Sequence, residues 1–302
     1  MKEKLLQLKK FLLLHKITVG LILGLLIILI GATNWYQNFQ ANQGPAEEIE
    51  LSFDAEGPYA LLYPRRDGNA LVLNLKRTSS YDEIGYELAY TSDPDSGSIA
   101  SKSAVVSEDG EAPVGAIDRG VVGNIDTKEK KGEYEQEVLF GTCSKNVCKY
   151  DKGVENGTLT LRIKKGNKIY KMVTQWHLQQ PDIALGILTS GDEHFTYKVD
   201  ASREDLTLTG YTIINDLTGA PKLPNGKEVV GKVYSLNVPI AKALKPGEVM
   251  LELAETPSAE DKIYFFPASG NEWRQLDTKV DGSKLTAKVD GAGIFAVFTP
   301  KK

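Results

Sequence analysis

The feature that most constrains this chain is its first thirty-five residues, where five lysines precede an unbroken apolar run. Lys2, Lys4, Lys9, Lys10 and Lys16 lead into residues 17–33, ITVGLILGLLIILIGAT, which carry no charge. Seventeen helical residues rise roughly 26 Å, close to the ~30 Å hydrocarbon core of a bilayer. Lys16 can snorkel, and Trp35 and Tyr36 stand where an interfacial aromatic belt belongs. The positive charge lies on one side only. The spacing therefore predicts a single-pass signal anchor over 17–36, residues 1–16 in the cytoplasm, and everything beyond outside the cell membrane.

A cleavable signal peptide also has a basic start and an apolar middle, but its apolar part is shorter and ends in a small-x-small site. Here Ile30-Gly31-Ala32 matches such a site poorly, so a retained anchor is the expectation. No cysteine follows the run, which excludes a lipoprotein anchor, and no pilin-type processing site is present. Gly20 and Gly24 form a G-x-x-x-G whose face Gly31 continues. Such faces let two helix backbones approach, so a homodimer through the membrane helix is one candidate contact, although glycine is also simply common in membrane helices.

Past a spacer at 37–48, the remainder of the 302 residues suffices for two domains with real cores. The chain carries a net −4; residues 1–16 supply +4 (five lysines less Glu3), leaving −8 for the rest. That balance argues against nucleic-acid binding, which needs a basic stripe.

From Ile49 onward the pattern is that of strands. Leu71, Leu73 and Leu75 alternate after an Arg65-Arg66-Asp67-Gly68 turn, as do Tyr86, Leu88 and Tyr90. Leu159, Leu161 and Ile163 alternate into a Gly166-Asn167 hairpin turn, and Ile169 to Val173 return. Beyond Gln180-Pro181-Asp182, eight further candidate strands follow, from FTYKV to GIFAVF. Helical periodicity is confined to short pieces, residues 240–244 and 82–84. The expected fold is all-β: two tandem β-sandwich domains, 49–182 and 183–302, behind one transmembrane helix.

The residues YELAY, the block EVLFGTCSKNVCKYDKGVENGTLTLRI and its hairpin resemble fibronectin-III or immunoglobulin-like modules of prokaryotic membrane-anchored surface proteins. The last fifty residues resemble terminal β-modules of such proteins, in Trp273-Arg274-Gln275-Leu276 and the run Gly293 to Phe298. What the resemblance implies is architecture and address; activity does not carry over with a fold. The antibody-type Cys-Trp-Cys arrangement is absent.

Cys143 and Cys148 lie outside the membrane in this topology, where disulfides persist, and four intervening residues suit a bond across a tight hairpin. The segment LFGTCSKN resembles a sortase strand, yet the only histidine upstream of Cys143 is His15, across the bilayer, and a disulfide would quench the thiolate. Cys143, Cys148, His177 and His194 are zinc ligands by type, at spacings no compact zinc motif uses. Asp93 and Asp95 are calcium candidates in a DPDSGS loop, but an EF-hand would need an acid where Ala104 stands. No G-x-S-x-G occurs, whereas paired glycosidase carboxylates are decided by space rather than spacing. Trp176 and Trp273 suit sandwich cores better than sugar stacking, and Asn156-Gly157-Thr158 is a formal glycosylation sequon.

The expectation is a cell-surface protein acting without catalysis or cofactor in adhesion, scaffolding or envelope assembly. Its partners would be membrane lipid through the helix and an extracellular protein or glycan. The rival is an anchored envelope hydrolase or transpeptidase with an unrecognised site.

Overall fold

The computed structural model describes residues 24–36 (except 26), 47–93, 117–180 (except 126, 128, 130, 131 and 146), 186–199 and 210–301. The chain divides into two compact units, Met1–Glu47 and Glu48–Lys302. In the first, the described residues of 24–36 are helical, and Leu25, Ile27, Ile28, Leu29, Ile30, Trp35 and Tyr36 are exposed. Among the described residues no helix is long and apolar enough to cross a membrane. Gly20 and Lys2 to Lys16 lie outside them, while a Cβ at Gly24 or Gly31 would meet open space.

The second unit is built almost wholly of antiparallel strands. Its first half runs β1 (Glu47–Glu50), β2 (Tyr59–Pro64), β3 (Ala70–Lys76), β4 (Glu83–Ser92), β5 (Ile117–Ile125) and β6 (Glu133–Leu139). Then come β7 (Gly141–Ser144), β8 (Val147–Tyr150), β9 (Asn156–Lys165) and β10 (Lys168–Gln179). The second half has β11 (Ile187–Thr189), β12 (Phe195–Val199), β13 (Tyr211–Asn215), β14 (Lys227–Asn237) and β15 (Gly247–Glu252). It closes with β16 (Lys262–Pro267), β17 (Arg274–Gln275), β18 (Lys279–Asp281), β19 (Lys284–Val289) and β20 (Gly293–Pro300).

One ten-stranded sheet, ordered β17-β16-β20-β14-β13-β10-β9-β4-β5 with β1 also on β10, runs through both halves. The Gln180–Asp182 position, expected to separate two sandwiches, sits just after β10. That strand pairs forward with β13, Gln175 opposite Asn215 through Gln179 opposite Tyr211. A three-stranded sheet (β2-β3-β6) and a five-stranded sheet (β11-β12-β15-β19-β18) flank this long sheet.

Strand periodicity explains the layering. Successive side chains alternate faces, so a strand covered on one side alternates apolar with polar, and one covered on both reads as a continuous apolar run. In β9, Leu159, Leu161 and Ile163 are buried while Arg162 and Lys164 are exposed. In β20 every residue from Gly293 to Phe298 is buried. Ile294, Ala296 and Phe298 join a core with Leu62, Leu73, Leu161 and Trp176. Phe295 and Val297 join another with Phe195, Tyr197, Val249 and Leu285. Ile213 and Ile214 divide between the two cores in the same way. Each such Val, Leu, Ile or Phe side chain contributes about 1.5–3 kcal/mol of burial energy.

Two short expected helical turns take other forms. Glu83 and Ile84 open β4, because Ile84 is buried between Ile125 and Ile163 in the sheet. In the 240–244 stretch only residues 240 and 241 form a turn, closed by Lys242 N–H donating to Pro239 O at 2.9 Å, with Ala241 at φ 65°. Gly166 turns the β9–β10 hairpin at φ 59°, in the left-handed region where glycine carries no Cβ penalty.

Candidate functional site

The predicted cysteine pair is a disulfide. Cys143 and Cys148 stand opposite each other in the β7–β8 hairpin with Cα atoms 4.0 Å apart. Both thiols are consumed, which removes them as nucleophile or zinc ligands. His177 Nδ1 lies 2.8 Å from Asn156 Oδ1, and His194 Nδ1 lies 3.9 Å from Glu252 Oε2, so the four zinc-type residues are not gathered. Asp95 lies outside the described residues; Asp93 contacts Gly153 at the end of β4. Among the described residues no three His, Cys, Asp or Glu side chains cluster as metal ligands.

Trp176 and Trp273 both pack. Trp176 is fully buried and stacks on Phe140 with ring centroids 5.9 Å apart, while Tyr90 meets Phe140 edge-on at 4.9 Å. Trp273 sits edge-on to Phe266 and Phe298 and its Nε1–H donates to Pro221 O at 3.4 Å.

A site invisible to motif reading lies where the five-stranded sheet stops covering the long one. Beyond β13 the outer face of the long sheet emerges, and cross-strand register lines up one lateral row: Asn215 opposite Gln175, Gln175 opposite Thr158, and Thr158 opposite Ala89. The row ends at Gly120, opposite Ala89 on β5. Small and polar side chains there leave a groove of about 660 Å³, within the range of small-ligand sites.

One wall is held from behind. On one side stands the β11–β12 turn, where Gly191 borders Asn156 and Asn215. Asp192 pins that turn: its carboxylate accepts from Ser190 Oγ–H at 2.5 Å, from Lys232 Nζ at 3.0 Å and from Tyr234 O–H at 3.1 Å. Burial opposes that charge, but the hydrogen bonds from Ser190 and Lys232 outweigh it and hold the carboxyl below its usual range. On the opposite face of the sheet, beside Phe140, Tyr90 O–H donates to Asp151 at 2.9 Å and Arg119 lies 3.7 Å from the same carboxylate.

One groove residue has unspent hydrogen-bonding capacity. Asn215 is 1% exposed, yet its Oδ1 has no partner among the described residues, and its Nδ2–H reaches Gln175 Oε1 only at 3.5 Å. On the opposite face, in the core with Phe140, Trp176 is 2% exposed and its Nε1–H has no partner among the described residues. Leaving a buried acceptor unmet costs about 1–3 kcal/mol, so Asn215 Oδ1 calls for a donor from a water or a bound group.

Amides in otherwise apolar strands (YTIIN, KMVTQW) were the available signal for Asn215 and Gln175, and the sequon already drew attention to Asn156 and Thr158. None of these spacings announces that the residues share one row. No family model matches the chain, and no curated protein matches it either.

Proposed function

We propose that this is a membrane-anchored surface protein whose β-sheet body stands outside the cytoplasmic membrane and works by recognition, in adhesion, scaffolding or envelope assembly. In this reading residues 17–36 are the anchor, residues 1–16 stay inside, and the body comprises two sandwich modules that share the long sheet. The likeness to modules of prokaryotic surface proteins supports the same address.

The observation that carries it is the amide- and hydroxyl-floored groove beside Asn215, a surface equipped to hold a ligand by hydrogen bonds. The Cys143–Cys148 bond supports an oxidising location. Anchoring keeps such a groove at the membrane, so binding is turned into attachment. A homodimer through Gly20, Gly24 and Gly31 would pair two grooves and raise avidity.

Protease treatment of intact cells tests the address. The body should be clipped or shaved without lysis, and the residual anchored fragment should fractionate with membrane. A body cut only after lysis overturns the proposal.

A further inference from the structure

We infer that β5 is a self-pairing edge: two copies of this chain join antiparallel along it, with Val121 at the two-fold axis, into one continuous sheet. The inference goes beyond the recognition reading above and does not rest on it.

A strand at the rim of a sheet has N–H and C=O groups without partners on its outer side, and folded proteins blunt such rims by shortening, charging or covering them. Most rims of this body are blunted. β17 has two residues, β11 and β18 have three each, and β1, β7 and β8 have four each. β6 carries Glu133, Glu135 and Glu137, and β2 lies against β13 and β14. The exception is β5. It ends the long sheet, runs for nine residues and confines its charges to Asp118 and Arg119. Among the described residues no strand lies beyond it, and none of its backbone groups bonds to a backbone outside β4.

The strand is self-complementary. Directly opposite residues of an antiparallel pair share a face, so two copies about an axis perpendicular to the sheet pair even positions with even and odd with odd. Centring on Val121 sets Ile117 opposite Ile125 of the second copy, Asp118 opposite Asn124 and Gly120 opposite Val122, with no like charges opposed. Val122 is 73% exposed on the outer face, and a Cβ at Gly120 would meet open space, so each Val122 covers the other copy's Gly120. On the inner face Val121 and Ile125, half-buried at the margin of the core, are closed off by Val121 and Ile117 of the second copy. Centring on Gly120 instead would set Val122 against Asp118 and Val121 against Arg119.

Pairing along the whole strand forms about eight to ten hydrogen bonds between the copies. Both copies use the same patch, so the contact closes at a dimer. The outer faces of the two bodies, grooves included, then look the same way, which lets one dimer hold two ligand sites at once.

The test uses the full chain in detergent micelles. Sedimentation from about 1 µM to about 100 µM should show a reversible monomer–dimer equilibrium. Under mild oxidation Val121→Cys should crosslink to itself, whereas Gly120→Cys and Val122→Cys chains should crosslink to each other more than either does alone. Val122→Lys sets two ammonium groups on diagonal positions of one face and should weaken the dimer about tenfold. Val122 is exposed, so this variant should melt with the parent protein. Amide exchange along β5 should be slow in the dimer and fast in Val122→Lys. A chain monomeric throughout that range, a Val121→Cys that crosslinks no faster than the exposed control Lys198→Cys, or a dimer indifferent to Val122→Lys overturns the edge pairing. A dimer that survives Val122→Lys and is lost with Gly24→Ile belongs to the membrane helix and overturns it too.

Discussion

Gly157 stands directly opposite Trp176 in the β9–β10 ladder, and the indole fills the space that a side chain at Gly157 would occupy. A Cβ there would run into Trp176 Cζ2 on one side and the Ala89 carbonyl oxygen on the other. A missing side chain on one strand thus creates the seat for the largest side chain on the next. Tyr86 and Gly123 repeat the arrangement between β4 and β5.

Gly157→Ala should therefore destabilise the body by about 1–3 kcal/mol, the usual cost of overpacking a closed core. Chemical denaturation followed by tryptophan fluorescence measures it. An unchanged midpoint would mean that the indole has room to retreat.

The long sheet couples the two cores. Phe295→Ala empties one core and Phe298→Ala the other, at about 3–5 kcal/mol each. Because β20 carries both residues between β14 and β16, each substitution should lower a single unfolding transition seen in calorimetry. Two separable transitions, each responding to one substitution only, would show that the cores melt independently.

The disulfide closes a loop too short to restrict the unfolded chain by much. The loop-entropy relation gives about 2 kcal/mol. Reduction, or Cys143→Ser with Cys148→Ser, should lower the melting temperature modestly and leave the bulk of the sheet signal in circular dichroism intact. Mass measurement before reduction should find the pair two hydrogens lighter than the free thiols.

His177 predicts an acid dependence. Burial lowers its pKa from 6.5, against a smaller opposing pull from Glu155, so the folded protein holds it neutral where the unfolded chain would protonate. Below about pH 6.5 the unfolded state binds more protons, and stability falls as pH drops toward the depressed folded value; above that range this contribution is flat. Urea midpoints at pH 8, 7, 6 and 5 should trace the decline, and His177→Gln should flatten it. At lower pH a second loss follows from Asp67, held down to about 2 chiefly by its hydrogen bond with Arg65. That contribution is present above about pH 4 and disappears as pH falls through 2.

The groove's wall should depend on Asp192. Asp192→Ala strips a carboxylate from Ser190, Lys232 and Tyr234, and hydrogen bonds to a charged group are worth about 1.5–3 kcal/mol. Hydrogen exchange should speed up at residues 190–194 before it does in β9 or β10. Uniform exchange across all three would sink this account of the wall.

Alternation is a local property, and it was legible wherever one face of a strand meets solvent. Leu71, Leu73 and Leu75, and Leu159, Leu161 and Ile163, point inward as their spacing requires, and the Cys143–Cys148 hairpin needed only six residues. The Ile84 region was not legible, since a short polar start (Tyr81-Asp82-Glu83) resembles a helical turn until its partners Ile125 and Ile163 are known.

What this sequence settled alone is the β character of the body, its turns and its disulfide, because each depends on residues within about a dozen positions. Only the tertiary structure decided that Gln175 meets Asn215 and joins the halves in one sheet, and that GIFAVF is covered on both faces. It alone also decided that Asn215, Gln175 and Thr158 form one row. Register between strands forty residues apart depends on which apolar faces find cover, and no local pattern encodes that choice.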